Sequence, residues 1–335
     1  MPRHASGVDH LTTYLKIALG AYDRTLPLMA GLVDIKDVAA EYVTAPLEDI
    51  FSKAFDDLSY DITELSFSNY LYLTSTGNCP YIGLPVFLSR SFRHSAIFIR
   101  TDRGISGPRD LVGRTVGVRE FSMTAALVAR GVLEDDFGVR ATDLRWHYGP
   151  ADAGDSNPIV RMKPNGIELE PLLGNSNLSD ALRDGTIDAL ISYKPPPAFL
   201  DGAPNVGRLF VDYEAVEADY ARRTGIFPIM HLLGIERKLA EHDPMLCLRI
   251  CDAFEASRRY AVGRTNERQA PFTSLPWAPD EAARSREILG DNFWSYGVAA
   301  NRPALESLCR YSYTQGISAR PVMVDELFAP TTLSW

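Results

Sequence analysis

The stretch GISGPRDLVGRTVGVREFSMTAALVARGVLEDDFGV, residues 104–139, limits the fold more than any other. Gly107-Pro108 opens a short helix and RTVGV (114–118) reads as a strand. SMTAALVARGVLEDDF (122–137) then has helical composition, with Ser122 as the expected N-cap. Strands that alternate with helices belong to a largely parallel α/β sheet.

The same alternation runs along most of the chain. LKIALGAY (15–22), AEYVTAP (40–46) and YDITELSFS (60–68) read as strands, the last running into a loop. Between the second and third, Leu47, Ile50, Phe51, Ala54 and Phe55 fall at helical spacing. YIGLPVF (81–87) and SAIFIRTD (95–102) read as further strands, separated by the polar insert LSRSFR. After residue 139, LRWHYG (144–149) and IDALISY (187–193) are expected strands, with a loop over 149–166 and a short helix over 178–185. GIFPIMHLLGIER (225–237) returns the chain to where it began. Residues 238–335 are expected to be mostly helical with a Pro-rich loop near 271–279, and residues 1–12 a loose tail. This order describes one lobe inserted into another: 13–103 with 226–335, and 104–225. Two hinge strands are expected near Ser95–Asp102 and Met230–Ile235.

At 335 residues the chain is long enough for two domains. Its net charge of -9 argues against a general nucleic-acid binder, which would carry a basic face. A few arginines can still make a cleft locally positive. Cys79, Cys247, Cys251 and Cys309 form no CxxC pair and no zinc spacing, so they read as buried free thiols in a reducing compartment. No apolar run has the length of a signal peptide or a membrane span. The expectation is a cytoplasmic protein without nucleic-acid or membrane partners, and assembly into a homo-oligomer is left open.

GISGPRDLVGRTVGV followed by LRDGTIDALIS is similar to the second lobe of type II periplasmic binding proteins. More narrowly, PVFLSRSFRHSAIFI, REFSMTAALVARGVLEDDFGV, ISYKPPPAFL and RRTGIFPIMH resemble the 4,5-dihydroxyphthalate decarboxylase family. FWSYGVAANRPALESLCRYSYTQGIS and DELFAP fit as well. The resemblance spans about residues 15–330. It implies a two-lobed type II periplasmic-binding-protein-like fold, each lobe a mixed, mainly parallel sheet flanked by helices, with a ligand cleft between. It also implies non-oxidative decarboxylation of 4,5-dihydroxyphthalate, a small aromatic dicarboxylate, to 3,4-dihydroxybenzoate and CO2.

That chemistry needs a base near a ring hydroxyl, an acid near the ring carbon, and cations for a dianion. Histidine titrates near neutral pH and is the usual proton carrier. His4 and His10 fall in the tail, while His147 and His242 sit in structural or solvated contexts. His94 and His231 fall at the presumed hinge and are the candidate catalytic pair, with His231 as the acid; a core histidine is the alternative for each. Arg90 and Arg93 could fork onto a carboxylate or stand on the surface. Arg119, Ser122 and Thr124 fall beside a helix start, where free N–H groups favour an anion. Lys194 follows a strand and precedes three prolines, and reaches either the cleft or solvent. Ser68 and Asn69, with Ser66, end the third strand as ligand contacts or turn formers. Arg222, Arg223 and Thr224 either cover the cleft or pair with nearby acids.

No HExxH or HxE spacing is present. Activity is therefore expected without metal or cofactor, the alternative being an ion held by His94, His231 and one carboxylate. Two other functions compete with the decarboxylase: a solute-binding or sensor protein without chemistry, and an enzyme of cofactor or pigment biosynthesis on the same lobes.

Overall fold

A computed structural model of the chain describes residues 13–155, 162–174, 177–269 and 272–335. The expected tail, with His4 and His10, lies outside these residues, as do parts of the loops expected over 149–166 and 271–279.

The strands are β1 (Thr13–Ala18), β2 (Val38–Val43), β3 (Ile62–Ser66), β4 (Tyr81–Arg90), β5 (Ile97–Arg100), β6 (Thr115–Val118), β7 (Arg145–Tyr148), β8 (Leu169–Pro171), β9 (Ala189–Ile191), β10 (Val206–Arg208) and β11 (Ile229–Glu236). The helices are α1 (Leu26–Met29), α2 (Leu47–Asp57), α3 (Phe67–Ser75), α4 (Thr124–Phe137), α5 (Leu178–Asp184), α6 (Pro197–Leu200), α7 (Tyr213–Thr224), α8 (Arg237–His242), α9 (Pro244–Arg264), α10 (Ala278–Leu289) and α11 (Arg302–Thr314).

Two sheets form. The first has the order β2-β1-β3-β11-β4, in which β1 runs parallel to β2 and β3 while β11 lies antiparallel between β3 and β4. The second has the order β10-β5-β9-β6-β7-β8, parallel through β9, β6, β7 and β8, with β5 antiparallel to both its neighbours. Strands buried on both faces need apolar residues at every position rather than at alternate ones. β9 answers that description in full and β4 over most of its length, while β3 is equally buried but carries polar residues at the site: every residue of β3 and β9 is buried, as is all but one of β4.

The second sheet corrects the expected seam. β5 was placed in the first lobe as a hinge strand, yet all its pairing is with β9 and β10. The chain therefore crosses between sheets before β5, around residues 91–96, and returns between β10 and β11. The apolar run SAIFIR suits either sheet, and local pattern does not say which strand it will meet. Gly225 makes the return turn as the left-handed C-cap of α7, at a φ of 68°. At the crossing the two segments are tied by the Ser91 N–H donating to the Pro228 carbonyl, at 3.0 Å.

The insert LSRSFR is less of an insert than expected, because β4 continues to Arg90 against β11. The chain after β3 is not a loop but α3, which starts at once with Ser66 as its N-cap. Likewise Met123, not Ser122, caps α4. The short strands β8 and β10 carry no strong strand pattern and were not expected. One apolar core runs through both lobes, and α11 packs on α3 of the first and α4 of the second. All four cysteines are buried free thiols.

Candidate active site

In α/β sheets of this kind ligands bind beyond the carboxyl ends of the parallel strands. Here those ends bring together the turn after β1, the β3–α3 junction, the start of β11 and the N-terminus of α4. His231 pairs across the sheet with Ser66, and Glu64 lies two residues before Ser66 on the same face of β3. Side chains on one face of neighbouring strands meet. The His231 Nδ1 and the Glu64 carboxylate stand 2.7 Å apart.

Glu64 is fully buried. Burial by itself disfavours its ionised form, but His231, the Gly20 N–H and the Tyr22 hydroxyl together hold the carboxyl below its ordinary range. The Gly20 N–H donates at 2.9 Å and the Tyr22 hydroxyl at 2.8 Å. The same burial and the same carboxylate push the Tyr22 phenol up, so it stays a donor. A carboxylate at Nδ1 puts the proton on that nitrogen and leaves Nε2 uncommitted. His231 remains 17% exposed, with the Phe51 ring edge-on at 5.0 Å. An imidazole fixed at one nitrogen and open at the other is arranged to carry a proton.

The second lobe meets this face through Thr124. Its hydroxyl lies 3.1 Å from the Ser66 hydroxyl and accepts the Ser68 N–H at 3.0 Å. The first turns of α3 and α4 thus converge beside His231. Ser68 Oγ and Asn69 Oδ1 are buried there without a partner. Buried polar atoms are normally hydrogen-bonded, so these two are candidates to meet a ligand. Ser122 is buried one residue before the α4 N-cap.

The expected cations are placed differently from one another. Arg93 is half-buried, and its pKa is pushed down to about 10 by desolvation, with Glu217 opposing the shift. Its Nε donates to the Met230 sulfur at 3.2 Å, one residue from His231, and no carboxylate among the described residues forms an ion pair with it. Among the described residues Arg119 meets the carboxylates of Asp155 at 2.7 Å, Glu48 at 3.2 Å and Glu120. Lys194 is paired with Asp152 at 2.9 Å and stands largely exposed. The expectation that Arg119 and Lys194 present free charge to a ligand is therefore corrected, because local acids already neutralise both. Arg90 is buried away from this cluster, bonded to the Phe227 and Ser295 carbonyls and to Asn301. Arg223 pairs with Asp136 and Asp219, and Thr224 bonds the Tyr220 carbonyl.

His94 was expected to stand opposite His231, and the structure does not bring the two together. It is 1% exposed, lies edge-on to Phe210 and Tyr220 at 5.3 Å, and neither ring nitrogen has a partner. Burial pushes its pKa down to about 4, so it is a neutral core histidine near pH 7. It follows β4 directly and turns into the aromatic packing beneath α7.

Glu64 and Tyr22 were missed from sequence. A glutamate inside the otherwise apolar ITEL run was the available signal for the first. Among the described residues no three His, Cys, Asp or Glu side chains group as a metal site would require.

Comparison with known proteins shows the family and the fold. The chain is 38% identical over 320 residues to the 4,5-dihydroxyphthalate decarboxylase of Comamonas testosteroni, covering 95% of this chain and 97% of that one. It is 40% identical over 209 residues to the enzyme of the same name from Pseudomonas putida, covering 62% of this chain and 81% of that one. No family model matches. Among solved structures, the sulphonate-binding protein SsuA of Escherichia coli aligns with a TM-score of 0.53 at 14% identity, over 96% of this chain and 99% of its own. A putative SsuA from Methylobacillus flagellatus KT gives 0.57 at 15% identity, over 95% and 92%. The desulfurization enzyme DSZB gives 0.53 at 14% identity, over 96% and 97%. At such identities these three speak for the fold alone, which is that of the periplasmic binding proteins.

Proposed function

The chain belongs to the 4,5-dihydroxyphthalate decarboxylase family, and from that premise we propose that it removes one carboxylate, as CO2, from a hydroxylated aromatic dicarboxylate. The reaction that fits best is 4,5-dihydroxyphthalate to 3,4-dihydroxybenzoate. The observation that carries the proposal is the His231–Glu64 pair on the cleft face, with Nε2 free.

Loss of CO2 from a ring leaves an aryl carbanion unless the carbon is protonated first. In this substrate one hydroxyl is para to the departing carboxylate. As that phenol gives up its proton to solvent, electron density moves to the carboxylate-bearing carbon, and the oxygen takes a proton back from solvent once CO2 has left. The imidazolium of His231 delivers a proton from Nε2 to that carbon. The carbon–carboxylate bond then breaks, its electron pair restores the aromatic ring, and CO2 leaves. One proton is taken from solvent per turnover, which balances the change from a dianion to a monoanion plus CO2. Glu64 stabilises the charged imidazole throughout and fixes its orientation. The remaining carboxylate would be met by Arg93, by the Ser68 and Asn69 side chains, and by the converging N-termini of α3 and α4, where N–H groups favour an anion.

The test is turnover of 4,5-dihydroxyphthalate, followed by CO2 release and ring absorbance. His231→Gln is expected to bind substrate nearly normally and to lose about 10²–10⁴-fold in kcat, the usual worth of general acid–base catalysis. A folded His231→Gln enzyme with parental turnover would reduce His231 to a structural histidine.

A further inference from the structure

A cavity lies at the return of the chain between the lobes. It has a volume of about 290 Å³ and is bounded by the return turn at Gly225 and Phe227 and by the segment joining α10 to α11. Arg90 is the one ionisable residue in its wall. That guanidinium is 7% exposed and contacts only neutral acceptors: the Phe227 carbonyl at 2.8 Å, the Ser295 carbonyl at 2.6 Å and the Asn301 side chain. Its Nε has no partner. A buried charge without a counter-ion is costly, and an anion reaching it would relieve that cost.

We infer that this cavity binds a one-ring aromatic monocarboxylate at a site separate from the cleft at His231. One cation matches one carboxylate, and the uncompensated charge acts on it through space, since both terminal nitrogens already donate to protein acceptors. Phe227 and Phe293 give the wall its aromatic character, and Asn292 supplies a polar group at the exposed rim. A volume of 290 Å³ is at the lower end of the range for small-molecule sites, which suits one ring rather than two. The wall shares no residue with the His231 cluster. The inference rests on the proposed decarboxylation in one respect only, that its product belongs to this ligand class.

Calorimetric titration of the full-length protein with benzoate tests it. Ala304→Leu shrinks the interior from α11, and Asn292→Phe caps the rim from the surface. Each is expected to weaken one benzoate-binding event by about ten-fold or more, an event that persists in His231→Gln. Benzoate binding unchanged in both blocked variants, or lost in His231→Gln, overturns the inference. A protein that fails to decarboxylate yet loses benzoate binding in Asn292→Phe would strike down the proposed reaction and support this site.

Discussion

Glu64 shows how much one residue's surroundings matter to this site. It sits in the middle of ITELS, all five residues of which are buried. An ionised carboxylate there is tolerated only because three donors surround it. Glu64→Gln keeps the shape but faces its amide with the Gly20 N–H and the Tyr22 hydroxyl, and it removes the charge that supports an imidazolium. The expected outcome is a kcat lowered by about 10²-fold with KM little changed, since Glu64 acts through His231 and not on substrate. Equal losses in kcat and in substrate affinity would mean a merely structural role. The two hinge histidines looked alike in sequence because both precede or open apolar strands. What separates them is the partner on the neighbouring strand, which a single sequence does not display. His94 makes its own prediction. Its folded pKa, about 4, lies below its ordinary 6.5, so the unfolded chain binds the extra proton between those values. Its contribution to stability is complete above 6.5 and is lost as pH falls towards 4. Thermal melts of His94→Gln across that window should depend less steeply on pH than the parent's, whatever the shift in Tm itself. An identical slope would show that His94 does not titrate as described.

At the scale of elements, α4 and α11 hold the two lobes in register. Gly131 of α4 faces the Tyr311 ring of α11 so closely that an added Cβ would lie 2.4 Å from it. The ring is buried and fixed by its hydroxyl donating to Asp135, which also pairs with Arg310. Close by, Arg130 donates to Gln315 at 2.7 Å and to the Phe121 carbonyl at 2.7 Å. Alanine in a helix is normally preferred to glycine by about 1 kcal/mol. Overpacking a site that cannot yield costs about 1–3 kcal/mol. Gly131→Ala should therefore lower the denaturant midpoint, and a raised midpoint would mean that α11 moves away easily. Helices such as α4 were legible from capping, length and composition. α3 was not, because Ser66, Ser68 and Asn69 read as the turn formers of a loop and the apolar residues of FSNYLYLTS serve either period. β8 and β10, three residues each, lack the length for any periodicity to register.

For the molecule as a whole, the two-lobed plan was legible in the alternation of strands and helices and in the return of the chain near Ile235. The seam was not, since strand pairing is settled by tertiary contacts. The lobes are joined by a continuous core and by α11, so opening must work against packing that a simple hinge would lack. At the cleft the main polar closure is Glu48 of α2, which reaches from the first lobe to Arg119 at 3.2 Å and accepts the Tyr193 hydroxyl at 3.5 Å. The Glu48 side chain is 50% exposed, whereas Glu120 and Asp155, the other two partners of Arg119, are 15% and 12% exposed. Of these carboxylates, Glu48 is the one most readily separated from Arg119, because water can take it back most easily. Such a half-exposed pair contributes under about 1 kcal/mol and is weakened by salt. Glu48→Gln should accordingly shift the ratio of open to closed lobes by no more than about five-fold. Small-angle scattering of the ligand-free protein should give a slightly larger radius of gyration for the variant. The parent should approach that value as ionic strength rises, while the variant stays nearly constant. If parent and variant scatter identically at low salt, packing through α11 alone keeps the lobes closed, and the Arg119–Glu48 pair has no part in holding them together.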